Sequence, residues 1–162
     1  MRSSSNPSPS AAFLLAQVGA HAAKRFSESL APLNLNPAQA GILRLLSHSS
    51  GLSQRALATK LGMHASRLVA IIDEMAALGL VVREGSADDR RTNSLHITEK
   101  AGKVLAEIGK IARQHGDGLL ASLTDAERST LAQLLARVAD QQGLTHGVHP
   151  GYSSMTLPAP HG

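Results

Sequence analysis

Apolar positions fall at helical spacing through most of the middle of the chain. Leu14, Val18, Ala22, Phe26 and Leu30 recur four apart, which makes one face of a helix over Ala11 to Leu30. Ala31-Pro32-Leu33-Asn34-Leu35 breaks that pattern. Asn36-Pro37-Ala38-Gln39 restarts it, with Asn as N-cap, Pro at the first helical position and Gln at the third. This second helix carries Ile42, Leu43, Leu45 and Leu46 and stops near His48-Ser49-Ser50-Gly51. Ser53 is a natural cap for a short third helix with Ala56, Leu57 and Leu61 inside, ended by Gly62. A fourth runs from about His64 to Leu78 on the stripe Leu68, Ile71, Ile72, Met75 and Leu78, and Gly79 closes it.

The pattern then changes. Leu80-Val81-Val82-Arg83-Glu84 is short and β-branched, Gly85 to Asn93 is polar, and Ser94-Leu95-His96-Ile97 alternates, so a two-stranded hairpin is expected. Thr98 caps a long helix with Val104, Leu105, Ile108 and Ile111 on its apolar face. Gly116-Asp117-Gly118 is expected to weaken or kink it. Thr124-Asp125-Ala126-Glu127 is a capping box that opens a last helix bearing Leu131, Leu134, Leu135 and Val138.

The ends are different in kind. Residues 1–10 hold five Ser and two Pro, and residues 143–162 hold four Gly, three Pro and three His. Both read as mobile extensions flanking a folded region over 11–142. The predicted fold is mainly α with a small β-hairpin.

Two short helices joined at a glycine turn, followed by a hairpin with a charged tip, make a winged helix-turn-helix. The second helix of such a pair enters the major groove of DNA, so its first turns must be small and polar. Here they are His64, Ala65, Ser66 and Arg67, and Arg67 has the donors to pair with guanine. His64 could equally only cap the turn. Ser53 and Gln54, at the start of the preceding helix, can bond phosphate with help from the helix dipole. The hairpin tip carries Arg90 and Arg91, and a cation there can enter a narrow minor groove.

Composition narrows the alternatives. The chain has 162 residues, 43% of them hydrophobic, which suffices for one domain with a real core. It has no cysteine, so a disulfide scaffold, a Cys-based zinc site and a thiol sensor are excluded. Three aromatic residues are too few for a base-stacking platform. A net charge of +4 gives modest support for a polyanionic partner. The eight histidines are scattered or, as His146 and His149, lie in the tail without a carboxylate beside them, so no metal or cofactor is expected. No phosphate loop, nucleophile elbow or carboxylate pair is visible, and no catalytic residue is assigned. No apolar run approaches a membrane span, and Phe13-Leu14-Leu15-Ala16 is too short for a secretory signal. The expected compartment is the cytoplasm, at the nucleoid.

Leu78-Gly79-Leu80-Val81, then Asp89-Arg90-Arg91, then Leu95-His96-Ile97-Thr98-Glu99-Lys100-Ala101-Gly102 resemble the wing signature of the multiple antibiotic resistance regulator (MarR) family, with Ile97 where Leu is usual. The resemblance runs from about Phe13 to Gln142. It implies a winged helix-turn-helix over about 36–98 and dimerisation helices over about 11–31 and 99–142. It implies that Arg91 is the minor-groove arginine, Asp89 the carboxylate that holds it, and Arg90 an auxiliary phosphate contact. It implies a homodimeric, ligand-responsive repressor of a pseudo-palindromic operator on double-stranded DNA. The effector would be a small aromatic or lipophilic compound in a cleft for which His21, Arg25 and Arg44 are the candidate residues, although each could instead face solvent or an interface. Where relatives carry basic residues along the recognition helix, this chain has Ala70 and Glu74, and Glu74 must lie off the phosphates or pair with a cation. A dimer would also bury Leu14, Val18, Leu119, Leu131, Leu134 and Leu135, whose helices are too apolar for a small monomer. Two other classes remain open: an architectural DNA-binding protein with little sequence preference, and a protein–protein module, which the wing arginines disfavour.

Overall fold

The computed structural model describes residues 9–85 and 93–153. Helix α1 (Ala11–Leu30) begins at Ser10, whose hydroxyl accepts from the Phe13 N–H at 3.2 Å. A 3-10 turn over Ala31–Leu33 leads to α2 (Pro37–His48), where the Asn36–Gln39 capping box forms in both directions, at 2.9 and 3.0 Å. Strand β1 (Leu52–Ser53) runs directly into α3 (Gln54–Leu61), capped by Ser53. Gly62, at φ 61°, makes the left-handed turn that lets α4 (Ala65–Ala77) start three residues later. Strands β2 (Val81–Gly85) and β3 (Asn93–Ile97) follow, then α5 (Glu99–Leu119) and α6 (Asp125–Gln141).

The sheet differs from the expected hairpin. It has three strands in the order β1-β3-β2, all antiparallel, because Leu52 pairs with Leu95 and Ser53 with Ser94. A two-residue strand has no hydropathy pattern of its own, so its pairing is set by the position of β3. The register of β2 on β3 places Val81 opposite Ile97 and Arg83 opposite Leu95.

The core lies where α2, α3, α4, the sheet and the start of α5 meet. Leu43, Leu57, Leu68, Ile72, Met75, Leu95 and Ala101 are all without solvent exposure. Thr98 joins the wing to the long helix: its hydroxyl accepts from the Ala101 N–H at 3.1 Å and donates to the Gly79 carbonyl at 2.7 Å. Lys100 adds a bond from Nζ to the Leu78 carbonyl at 2.7 Å.

Helix α5 runs unbroken through Gly116-Asp117-Gly118 to Leu119. Arg128 of α6 supports this stretch, with Nη1 at 3.3 Å from Asp117 Oδ1 and Nε bonded to the carbonyls of Leu120 and Leu123. These bonds offset the low helix propensity of the two glycines. The expected Thr124–Glu127 capping box is present, and it holds the Glu127 carboxyl below its ordinary range.

The apolar stripe of α1 changes character along its length. Leu30 is fully buried and Phe26 partly so, whereas Val18 and Leu14 are 48% and 42% exposed. Helix α6 buries none of its residues, and its Leu134, Leu135 and Val138 are exposed. The tail also departs from expectation: Val148 and Tyr152, the latter in a 3-10 turn over Pro150–Ser153, pack against the core. Residues 1–8 and 154–162 lie outside the described residues.

Candidate nucleic-acid interface

Helix α4 is fixed by its apolar side, since Leu68, Ile71, Ile72 and Met75 are buried. Its other side begins with His64, Ala65 and Ser66, all exposed, and continues through Val69 to Asp73. His64 is the N-cap residue, but its side chain makes no capping bond. The first N–H groups of α4 therefore have no side-chain acceptor at His64. A shallow depression of about 310 Å³ separates this end of α4 from Arg55 and Thr59 of α3.

Arg67 sits differently from the rest of that turn. It is half-buried, with Nε and Nη2 shielded from solvent. Reading a base edge would require its guanidinium to swing out of this position. Spacing alone could not show this, because one residue in a helix turn falls on the boundary between the buried and exposed faces.

The acidic residues of α4 are both engaged. Glu74 turns toward α2, where its Oε2 accepts from Gln39 Nε2 at 3.1 Å. Gln39 is itself only 4% exposed, so Glu74 points inward. Asp73 lies on the exposed side and is held by Arg83 of β2, with Nη2 to Oδ1 at 2.5 Å. The same guanidinium donates from Nε to Gln54 Oε1 at 2.6 Å. Arg83 thus ties the wing, α4 and the first residue of α3 together. Reading β2 as a plain strand missed this role; an arginine within a β-branched run of that strand was the available signal.

Gln54 is therefore partly committed to Arg83, which leaves its amide N–H groups as donors. The Ser53 hydroxyl accepts from the Ala56 N–H at 3.1 Å and keeps its own proton to donate. Asp89, Arg90 and Arg91 lie outside the described residues. At the base of the wing, Ser50 Oγ is 2.9 Å from His96 Nδ1, and His96 Nε2 is 3.7 Å from Glu84 Oε2. The order resembles a hydrolytic relay, but 3.7 Å is too long for the orienting hydrogen bond.

Of the three effector candidates, two come together. His21 and Arg25 of α1 line a cleft of about 480 Å³ against α5, with Ser29, Ile111, Gln114 and His115. The Phe26 and His115 rings meet at its edge, with centroids 5.5 Å apart. Arg44 is not among the lining residues and lies on α2 beside the tail. Arg44 belongs to α2 rather than to the two helices that form this cleft.

The MarR family model matches residues 33–92, the segment from the turn before α2 into the wing. A Thauera aromatica protein named for transcriptional regulation of the hcr operon is 35% identical over 111 residues, 68% of this chain and 67% of its own length. The chain belongs to the MarR family. Among solved structures, the transcriptional repressor CouR bound to a 23-mer DNA duplex is 32% identical, with a TM-score of 0.73 over 86% of this chain and 99% of that one. Wild-type MarR from E. coli in its apo form is 22% identical and shares the fold, with a TM-score of 0.72 over 82% of this chain and 98% of that one. The mainly helical body with its small antiparallel sheet is thus the winged helix of MarR transcriptional regulators. Among the described residues no helix is long and apolar enough to cross a membrane.

Proposed function

We propose that this MarR-family chain is a homodimeric, ligand-responsive repressor in the cytoplasm that binds a pseudo-palindromic operator. Each protomer sets α4 in a major groove through His64, Ala65, Ser66 and Arg67. Ser53 and Gln54 contact phosphate, Arg91 enters the flanking minor groove with Asp89 holding it, and Arg90 adds an auxiliary phosphate contact. The observation that carries this reading is the treatment of the two carboxylates on α4. A helix that enters a groove between phosphate backbones cannot present free anions. Glu74 is turned inward to Gln39, and Asp73 is neutralised by Arg83. The N-terminal end of that face carries no carboxylate, and the helix dipole there favours phosphate.

A second copy of the chain covers the apolar surface on α1 and α6. Phe13, Leu14, Leu15 and Val18 on one helix and Leu134, Leu135 and Val138 on the other are each at least 39% exposed. A soluble monomer rarely leaves so many large apolar side chains exposed on two helices. The effector, an aromatic or lipophilic anion, enters the cleft of His21, Arg25 and His115, where Arg25 supplies a charge-assisted bond.

Titration against a matched pair of duplexes, one pseudo-palindromic operator and one scrambled, tests the reading at a stated salt concentration. Binding that survives excess competitor on the operator alone is expected. Equal affinity for both duplexes would replace the repressor with an architectural DNA-binding protein.

A further inference from the structure

Val69 is the one large apolar side chain that α4 leaves outside. The rotation of the helix is fixed, because Leu68, Ile71, Ile72 and Met75 are buried on its other side. Val69 itself is 41% exposed and belongs to no part of the core. Its neighbours on the outer side are small. Ala65 stands one turn before it, Ser66 lies three residues back, and Ala70 follows directly. Asp73 stands one turn beyond, held by Arg83. Ala65, Val69 and Asp73 therefore form one row along the helix.

The fold gives Val69 no task. A β-branched residue is less favourable than alanine at an exposed helix position. A lone exposed valine on an arbitrary surface needs no explanation. This one stands in the middle of the row that the operator reading sets in a major groove, between side chains too small to hold it off the bases. Its branch leaves essentially one χ1 rotamer in a helix, so both methyl groups are presented in a fixed place. We propose that Val69 is a specificity-determining residue that reads the C5-methyl group of one thymine in each operator half-site. The inference rests on the operator reading given above.

The chemistry of the side chain selects the base. Valine has neither a donor nor an acceptor. Of the groups that base pairs display in the major groove, the thymine methyl is the apolar one. Beside the amino group of adenine or cytosine, or O6 and N7 of guanine, Val69 would displace water and return no hydrogen bond. Contact therefore favours thymine in two ways: it takes two apolar groups out of water together, and it penalises the other base edges.

The test uses deoxyuridine, which pairs with adenine as thymidine does and lacks only the methyl. The parent selects a duplex from a random pool, and each dT of a half-site is replaced by dU together with its symmetry mate. Affinities of the parent and of Val69→Ala are compared at one fixed salt concentration. At one dT position, dU is expected to weaken the parent about fourfold per methyl, hence about fifteenfold for the two half-sites. Val69→Ala is expected to bind the dT and dU duplexes alike at that position. This variant favours the helix and touches no core residue, and an unchanged circular-dichroism melt will show that it is folded. Any effect of dU on DNA shape persists in Val69→Ala, so the difference between the two proteins isolates the contact. The proposal is overturned if the parent tolerates dU at every position, or if Val69→Ala keeps the parent's sensitivity. A pool that yields no consensus overturns the operator reading itself, and this inference with it.

Discussion

Arg83 and Asp73 are joined across β2 and α4 by a short ion pair, Nη2 to Oδ1 at 2.5 Å, and the same arginine reaches Gln54 on α3. Strand β2 and helices α3 and α4 therefore share one guanidinium. The Arg83 side chain is 26% exposed and that of Asp73 60%, so water weakens the pair, and its stabilising effect is about 1 kcal/mol or less. Arg83→Ala should lower the melting temperature only slightly. It should weaken operator binding much more, because Asp73 becomes a free anion on the groove-facing side. Adding Asp73→Asn to Arg83→Ala should restore part of that affinity. Equal loss in the single and double variants would show that Asp73 does not face the phosphates.

Gln39 has the opposite balance, with a large structural role and no surface. It is buried, it closes the cap of α2 on Asn36, and it bonds Glu74. Gln39→Ala leaves the Asn36 N–H and the Glu74 carboxylate without that partner, at a cost of ~1–3 kcal/mol. Chemical denaturation of the two proteins side by side measures it. A change within experimental error would mean that water replaces the amide at both positions.

The apolar face of α6 gives the clearest test of assembly. Leu134 and Val138 are 50% and 47% exposed, one turn apart. Leu134→Glu with Val138→Glu should leave the winged domain folded, since neither residue belongs to its core, and should convert the dimer to monomers in sedimentation. A parent that sediments as a monomer at micromolar concentration would remove the interface altogether.

Tyr152 links the tail to pH. Burial raises its phenol above the ordinary 10.0, while the nearby Arg44 charge pulls the other way. The docked form therefore favours the neutral phenol. Docking is fully present below pH 10.0 and is lost as the pH rises through the docked value. Phenolate absorbance should show parent Tyr152 titrating above Gly41→Ala, whose added Cβ would lie 2.5 Å from Cε2 of the docked ring and exclude it. Coincident curves would contradict a docked phenol.

Much of this was legible in the sequence, and the reasons differ by element. The limits of α1 follow from a stripe at four-residue spacing that ends at Ala31-Pro32. The starts of α2, α3, α5 and α6 follow from Asn36, Ser53, Thr98 and Thr124, because a cap residue acts on backbone within its own next turn. The third strand was not legible, since Leu52 and Ser53 are defined only by a partner more than forty residues away. The same holds for Arg83 with Asp73 and Gln54, for Glu74 with Gln39, and for Tyr152 on Gly41. Each joins two separate elements with no periodic signal. Arg44 looked like a companion to His21 and Arg25 because helix order does not reveal which face meets which cleft.

Arg91 of the wing carries the resemblance to the family most specifically, although it lies outside the described residues. Arg91→Ala should change thermal stability by no more than about 0.5 kcal/mol. It should reduce operator binding, most of all where the flanks are rich in A·T and the minor groove is narrow. Asp89→Ala should do the same more weakly. Unchanged operator affinity at the same ionic strength would remove the wing from the mechanism.

Selection of bound duplexes from a random pool tests sequence-specific recognition by a two-fold dimer. An inverted repeat is expected, with half-sites centred about one helical turn apart and one dimer bound per duplex. A pool that emerges without a consensus, or with a single undivided site bound by one protomer, would contradict it.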